Sequence, residues 1–280
     1  MVAILFMKSS LNKAIIFTKK ADSKAKSLAV QIKSFLKTKG LMVDVAPGHA
    51  DIAIVIGGDG TFLGAVRELI NATPEKKELP MILGVHTGTL GFLTECTHDG
   101  WKEALNRGFK EGFNIELRSM LDVQVEGNQK KHTVLNDVVI NRNDVARMME
   151  FDLYYNKEFV SSNKADGAII STPTGSTAYS LAAGGPITHP SIPAFIVTPV
   201  CPHTLTNRPI VVSDSGVISV KVKTETNDIL VSLDGQKAIC CAKGKTVKTF
   251  KSKRVLRLVR PNDVTYFNIL KNKLSFGKRG

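Results

Sequence analysis

At 280 residues, with 43% apolar and 22% charged side chains, the chain has a globular composition and the length for one large or two ordinary domains, each with its own core. No apolar run approaches the roughly 18 residues of a membrane span, and Met1 to Phe6 is too short for a signal sequence. Cys96, Cys201, Cys240 and Cys241 share no Cys-x-x-Cys spacing, which argues against a disulfide framework or a zinc site; no metal ligands, no membrane and a cytoplasmic location are the expectations.

In chain order, Lys13 to Thr18 reads as a strand. Asp22 to Lys39 reads as an amphipathic helix, because Leu28, Ile32, Phe35 and Leu36 recur at helical spacing and Gly40 ends the pattern. Leu41 to Val45 is a second strand, followed by a Pro47-Gly48 turn. Asp51 to Thr61 reads Asp-Ile-Ala-Ile-Val-Ile-Gly-Gly-Asp-Gly-Thr, which is a short apolar strand of the type buried on both faces of a parallel sheet, cut off by glycines. Gly57, Gly58 and Gly60 leave room for backbone N–H groups to approach a phosphate or ribose, and Thr61 can cap a helix running from Phe62 to Ile70. Met81 to Val85 is a further strand, and it leads into a second glycine-rich turn, Gly84 to Gly91. Strand and helix alternate here, which predicts a doubly wound, mostly parallel sheet with ligands beyond the carboxyl ends of its strands.

Two common phosphate motifs are excluded. The only Gly-Lys-Thr, at Gly244, has Ile239 where the first glycine of a P-loop belongs, and Leu63 stands where a dinucleotide fingerprint needs its third glycine. Asp59 between the glycines would also repel a pyrophosphate. The same carboxylate is well suited to accepting a proton from a substrate hydroxyl beside a nucleotide's phosphates.

After a helix over Trp101 to Arg107, the rhythm changes beyond Gly112. Ile115–Glu126, Lys131–Asn141, Met149–Phe159, Gly216–Lys223, Asp228–Leu233 and Val247–Val259 are β-branched or alternating, and predict a second domain of antiparallel strands. The expected division is 1–112 for the α/β domain, joined by the tail 261–280, and 113–260 for the β-rich domain. From Lys237 onward thirteen Lys and Arg face Asp263 alone, a net +12 of the chain's +13. That region either steers an anionic small molecule or is the wet face of strands, and it carries no nucleic-acid motif. Asn136 and Asp137 open an apolar run. Asp166 to Pro186 reads as a strand, a hydroxyl-rich loop and a small-residue helix, and Thr198 to Leu205 is a proline-stiffened stretch bearing His203.

Gly57-Gly-Asp-Gly-Thr61, Asn136-Asp137, the Asp166 to Pro186 block and Pro199 to Leu205 together resemble the NAD kinase family, over about Lys13 to Gln236. The resemblance implies a phosphofructokinase-like α/β domain plus a mainly antiparallel β domain. It also implies transfer of the γ-phosphoryl group of ATP, or of polyphosphate, to the 2′-hydroxyl of the adenosine ribose of NAD, with Mg²⁺ carried on the phosphates. It makes Asp59 the base, with Gly57, Gly58, Gly60 and Thr61 at the nucleotide. Asn136 and Asp137 would meet ribose hydroxyls or nearby polar atoms, and Lys164 and Asp166 would help fix the dinucleotide. Thr177, Ala178, Tyr179, Ser180, Leu181 and Ala182 would surround the adenine, with Gln236 a further contact. Many members carry Glu where this chain has Asp137. A homodimer or homotetramer with sites completed across subunits is implied. A lipid or sugar kinase built on the same turn, and a dinucleotide- or nucleic-acid-binding protein that leaves Asp59 idle, are the alternatives.

Overall fold

The computed structural model describes residues 4–7, 11–19, 22–88, 90–143, 148–204, 206–224, 228–261 and 265–277. Thr89, Leu205, Asp263, Lys278 and Arg279 lie outside them. The chain divides into two compact units, 1–118 with 254–280, and 119–253.

In the first unit the elements are β1 (Ile4–Met7), β2 (Lys13–Thr18), α1 (Ser23–Thr38), β3 (Met42–Val43), β4 (Ile52–Ile56), α2 (Asp59–Ala72), β5 (Met81–Val85), α3 (Trp101–Glu111) and the first part of β6 (Phe113–Val125). The parallel order is β3-β2-β4-β5, while β1 pairs antiparallel with the start of β6. Every residue of β4 and β5 is buried, which is why both are unbroken apolar runs. Ala25, Leu28, Ile32 and Leu36 form the buried face of α1, and its N-cap Asp22 accepts from the Ala25 N–H at 3.1 Å. The chain order reverses between β2 and β4, so the turn after β4 stands at a switch point of the sheet.

The second unit holds β7 (His132–Val134), β8 (Asp137–Arg142), β9 (Met149–Tyr155), β10 (Glu158–Ala165), β11 (Gly167–Ser171), α4 (Tyr179–Ala182), β12 (Ala194–Val200), β13 (Ile210–Ser213), β14 (Ile218–Val222), β15 (Ile229–Leu233), β16 (Lys237–Cys241) and the first part of β17 (Thr246–Val259). Six strands form an antiparallel sheet in the order β13-β12-β11-β8-β15-β16, and β10-β9-β14-β17 form another antiparallel run. Apolar side chains from both, among them Ile140, Phe151, Ile170, Phe195, Val220 and Val231, make one core. The last part of β17 runs parallel to β5, and α5 (Tyr266–Leu274) follows it in the first unit.

Several expectations need correction. The strand expected over Leu41–Val45 is two residues long, and α3 runs on to Glu111. Met149–Phe159 is two strands, β9 and β10, turned at Asn156 and Lys157 with φ of 50° and 71°. The small-residue helix after Asp166 is the single turn α4, preceded by a short 3₁₀ turn at Gly175–Thr177. Strands β12, β13 and β16 were not expected as strands.

Candidate functional site

In the first unit, β4 ends at Ile56 and α2 starts at Asp59 with Gly58 as an N-cap that has no side chain. The helix therefore begins two residues before the point where Thr61 was expected to cap it, and Thr61 lies inside the first turn. The N-terminus of α2 carries the positive end of the helix dipole, which favours phosphate, and the Asp59 carboxylate in the first turn is favoured by the same dipole.

The Asp59 carboxylate is gripped by the segment after β5. Phe92 N–H donates to Oδ2 at 2.9 Å, Leu93 N–H to Oδ1 at 3.0 Å, and the Thr94 hydroxyl to Oδ1 at 3.3 Å. A carboxylate offers about four acceptor positions, so one remains, on Oδ2. Gly91 is required for the grip: a Cβ there would stand 2.1 Å from Asp59 Oδ1. The segment that follows the second glycine-rich turn, Phe92 to Thr94, is thus the clamp that aims Asp59. Around it, His86 Nδ1 lies 2.8 Å from the Gly88 carbonyl oxygen, and the Thr87 hydroxyl donates to Asp22 at 3.0 Å, tying this loop to the cap of α1.

In the second unit a different carboxylate does the anchoring. Asp234, at φ 50° in the β15–β16 turn, accepts from the backbone N–H groups of Leu135 (3.0 Å), Asn136 (2.7 Å) and Asp137 (3.2 Å). The Thr172 N–H donates to the Asn136 carbonyl at 2.9 Å, and the Thr172 hydroxyl to that of Leu135 at 2.6 Å. Gly175 packs so closely on the Asn136 backbone that a Cβ would meet its carbonyl oxygen at 2.2 Å. Asn136 and Asp137 are both buried, and burial first, then the neighbouring Asp234 charge, pushes the Asp137 carboxyl up to about 7. Asp137 therefore changes charge near neutrality.

The adenine-side candidates surround the turn that leads into α4. Thr177, Ala178 and Leu181 are half-buried, Ala182 is exposed, and Tyr179 presents a ring that is 47% exposed. Ser180 is buried and shares a 2.9 Å hydrogen bond with Thr198. Gln236 is half-buried just past the Asp234-Gly235 turn. Lys164 and Asp166 are not gathered with these residues. Ser171 at the other end of β11 pairs with Asp137, which leaves Asp166 ~16 Å along the strand at about 3.3 Å per residue. Both are exposed, and Lys164 pairs with Glu150 at 3.3 Å. His203, also exposed, donates its N–H to the Lys164 carbonyl.

Sequence reasoning missed Asp234 as an anchor and Phe92 to Thr94 as a clamp. The Asp-Gly pair was a readable hairpin signal for the first, whereas nothing local marks the second. The basic region also resolves into distinct parts. Arg254 donates to the carbonyls of Ile70 and Thr73 at 2.8 and 2.5 Å, and Arg257 to the Leu79 carbonyl and to Glu78. Lys251 pairs with Asp214 at 2.6 Å, while Lys248 and Lys253 are exposed. Among the described residues no group of three or more His, Cys, Asp and Glu is arranged to hold a metal ion, and no helix is long and apolar enough to cross a membrane.

Comparison with known proteins bears on this geometry. The ATP-NAD kinase N-terminal domain matches residues 4–113 and the ATP-NAD kinase C-terminal domain matches residues 135–261. The NAD kinase of Geobacter sulfurreducens is 39% identical over 290 residues, covering 96% of this chain and all of that one. That of Magnetococcus marinus is 43% identical over 238 residues, 84% of this chain and 76% of that one. Among solved structures, an NAD kinase from Archaeoglobus fulgidus in complex with ATP superposes with a TM-score of 0.78 at 25% identity, covering 95% of this chain and all of that one. Yeast NADH kinase complexed with NADH shares the fold with a TM-score of 0.88 at 23% identity, covering 98% of this chain and 90% of that one. With both domain models matched in order along the chain and relatives of this identity covering nearly all of it, the chain belongs to the NAD kinase family.

Proposed function

We propose that this NAD kinase phosphorylates the 2′-hydroxyl of the adenosine ribose of NAD, with Asp59 as the proton acceptor. The observation that carries the reading is the Asp59 carboxylate: aimed by three donors, it keeps one acceptor position open at the N-terminus of α2. The ribose oxygen attacks the γ-phosphorus of ATP, the bond to the β,γ-bridging oxygen breaks, ADP leaves, and the hydroxyl proton passes to Asp59. Gly58 and Gly60, which carry no side chain, let the phosphates approach the positive end of α2. Gly57 and Thr61 shape that turn. We assign Mg²⁺ to the ATP phosphates as part of the substrate, where it would neutralise charge during transfer.

In the second unit, Asn136 and Asp137 recognise ribose hydroxyls, Gln236 adds a polar contact, and Tyr179 with its neighbours covers the adenine. The position of Lys164 near the end of β10 and of Asp166 just before β11, away from Asp137, supports their serving the site of a neighbouring subunit in a homodimer or homotetramer. A cytoplasmic location fits substrates that are cytoplasmic nucleotides. Incubation with Mg-ATP or polyphosphate and NAD, read by an NADP-specific dehydrogenase, tests the reading. NADP formation with either donor supports it, and none with both, from folded protein, contradicts it.

A further inference from the structure

The segment that grips Asp59 is itself held at its next residue. Glu95 is only 3% exposed, and its Oε2 lies 2.6 Å from Arg260 Nε. Arg260 Nη1 also reaches Glu116 Oε2 at 2.5 Å, and Arg118 closes the row on Glu116 through Nε at 3.2 Å and Nη2 at 3.3 Å. All four side chains are buried, so two carboxylates alternate with two guanidiniums inside the first unit. One residue further on, Cys96 is pinned to β5: its N–H donates to the Gly84 carbonyl at 3.0 Å, and its carbonyl accepts from His86 at 2.9 Å. The run from Phe92 to Cys96 therefore holds Asp59 through its first three residues and is itself held through its last two.

A buried ion-pair row is weak evidence for stability, because desolvation offsets much of the attraction; what it does supply is a fixed register. The segment that carries the three donors on Asp59 ends at Thr94, the residue before Glu95. We propose that Glu95 is a positioning residue for phosphoryl transfer: ionised and paired with Arg260, it sets the Phe92 to Thr94 donors on Asp59, and on protonation that hold loosens. This rests on the reading of Asp59 as the proton acceptor.

The groups facing Glu95 are Arg260 at the end of β17, Glu116 and Arg118 on β6, Asp59 on α2, and its neighbour Cys96. Burial pushes the Glu95 carboxyl up to about 7 against the pull of Arg260 and Arg118, with Glu116 and Asp59 adding to the rise. The Cys96 thiol, raised by burial to about 12, stays neutral throughout. A cavity of about 210 Å³ lined by Glu95, Arg260 and Asn114 extends to the partly exposed Arg107 of α3, which gives protons a path to the carboxyl. A carboxyl at about 7 is ionised above that pH and protonated below it, so kcat should fall on the acid side.

The test is kcat against pH from 5.5 to 9 at saturating Mg-ATP and NAD, for the parent, Glu95→Gln and Glu95→Asp, with melting temperatures as a check on folding. Because Asp137 also changes charge near 7, the profiles are compared in an Asp137→Asn background, where Glu95→Gln should lose the inflection near pH 7 and lower kcat at pH 8 by about tenfold, the order expected from a slightly misplaced reacting group, with KM for NAD within about twofold. Glu95→Asp keeps a titrating carboxyl and should keep an inflection. A folded Glu95→Gln protein with the inflection intact and kcat at pH 8 within about twofold of the parent overturns the proposal. Should Glu95→Gln not fold, Arg260→Lys decides: it keeps the charge but not the fork, and should move the inflection upward, whereas a profile superimposable on the parent's overturns the proposal. Failure of the Asp59 reading is separable, since it would show as parental activity in Asp59→Asn.

Discussion

Asp59 in the first unit and Asp137 in the second both stand at the end of a buried strand, and their surroundings treat them in opposite ways. Asp59 is half-exposed and receives two backbone N–H groups and a hydroxyl from one short segment. Asp137 is buried beside Asp234, and it is Asp234 that collects the backbone donors of Leu135, Asn136 and Asp137. The first carboxylate is aimed and left one open position; the second sits where charge is costly and becomes neutral near pH 7. The same functional group thus meets two environments, one that aims a half-exposed carboxylate and one that buries a carboxyl beside a second acid.

The comparison breaks most visibly at Asp234. Asp234→Ala strands three backbone donors near a buried strand end, and should lower stability by roughly 3–5 kcal/mol, since a hydrogen bond to a charged acceptor contributes about 1.5–3 kcal/mol and such terms do not add fully. Urea unfolding measures this, and a loss below about 1 kcal/mol would show that the Asn136-Asp137 backbone is set by something else.

Next in size is Asp137→Asn. The folded carboxyl at about 7 lies above its ordinary 3.8, so the stability it contributes is full below about 3.8 and is lost as pH rises through about 7. Asn does not titrate. The variant should therefore gain on the parent between pH 4 and 8, by on the order of 2–4 kcal/mol, and parallel stability curves would contradict the burial argument. Smaller again, Tyr179→Ala should weaken NAD binding by about 1–3 kcal/mol with little change in melting temperature, because the ring is half-exposed. A lowered apo melting temperature with unchanged affinity would make Tyr179 a packing residue instead.

The smallest effect is expected from the basic strand. Arg254 and Arg257 bond to backbone carbonyls and Lys251 is paired, so only Lys248 and Lys253 are clean probes of steering. Replacing both by Gln should raise KM for ATP by less than about threefold at low salt and by nothing at high salt, given a screening length of about 8 Å at physiological salt. A salt-independent change would point to direct contact.

What the sequence made legible was local. The unbroken apolar run of β4 and the glycines after it announced the turn at Asp59, and the 3.6-residue spacing of Leu28, Ile32 and Leu36 announced α1. The β9–β10 turn at Asn156-Lys157 lacks the glycine that usually marks such a hairpin, so the two strands read as one. The clamp and the anchors were hidden for another reason. Leu93 meets Asp59 across 34 residues and Asp234 meets Asn136 across 98, and no pattern of spacing reports a hydrogen bond at that separation. Arg260 read as one of many basic residues, yet it is 9% exposed between two glutamates.

The most direct test of the account is the rate of NADP formation by Asp59→Asn, measured beside its affinity for NAD. Asn keeps an oxygen for the Leu93 and Thr94 donors, so the clamp is largely preserved while the ability to take a proton is removed. The account predicts a fall in kcat of about 10²–10⁴ with NAD affinity changed by no more than a few-fold. A folded Asp59→Asn protein that forms NADP within a few-fold of the parent rate would contradict it.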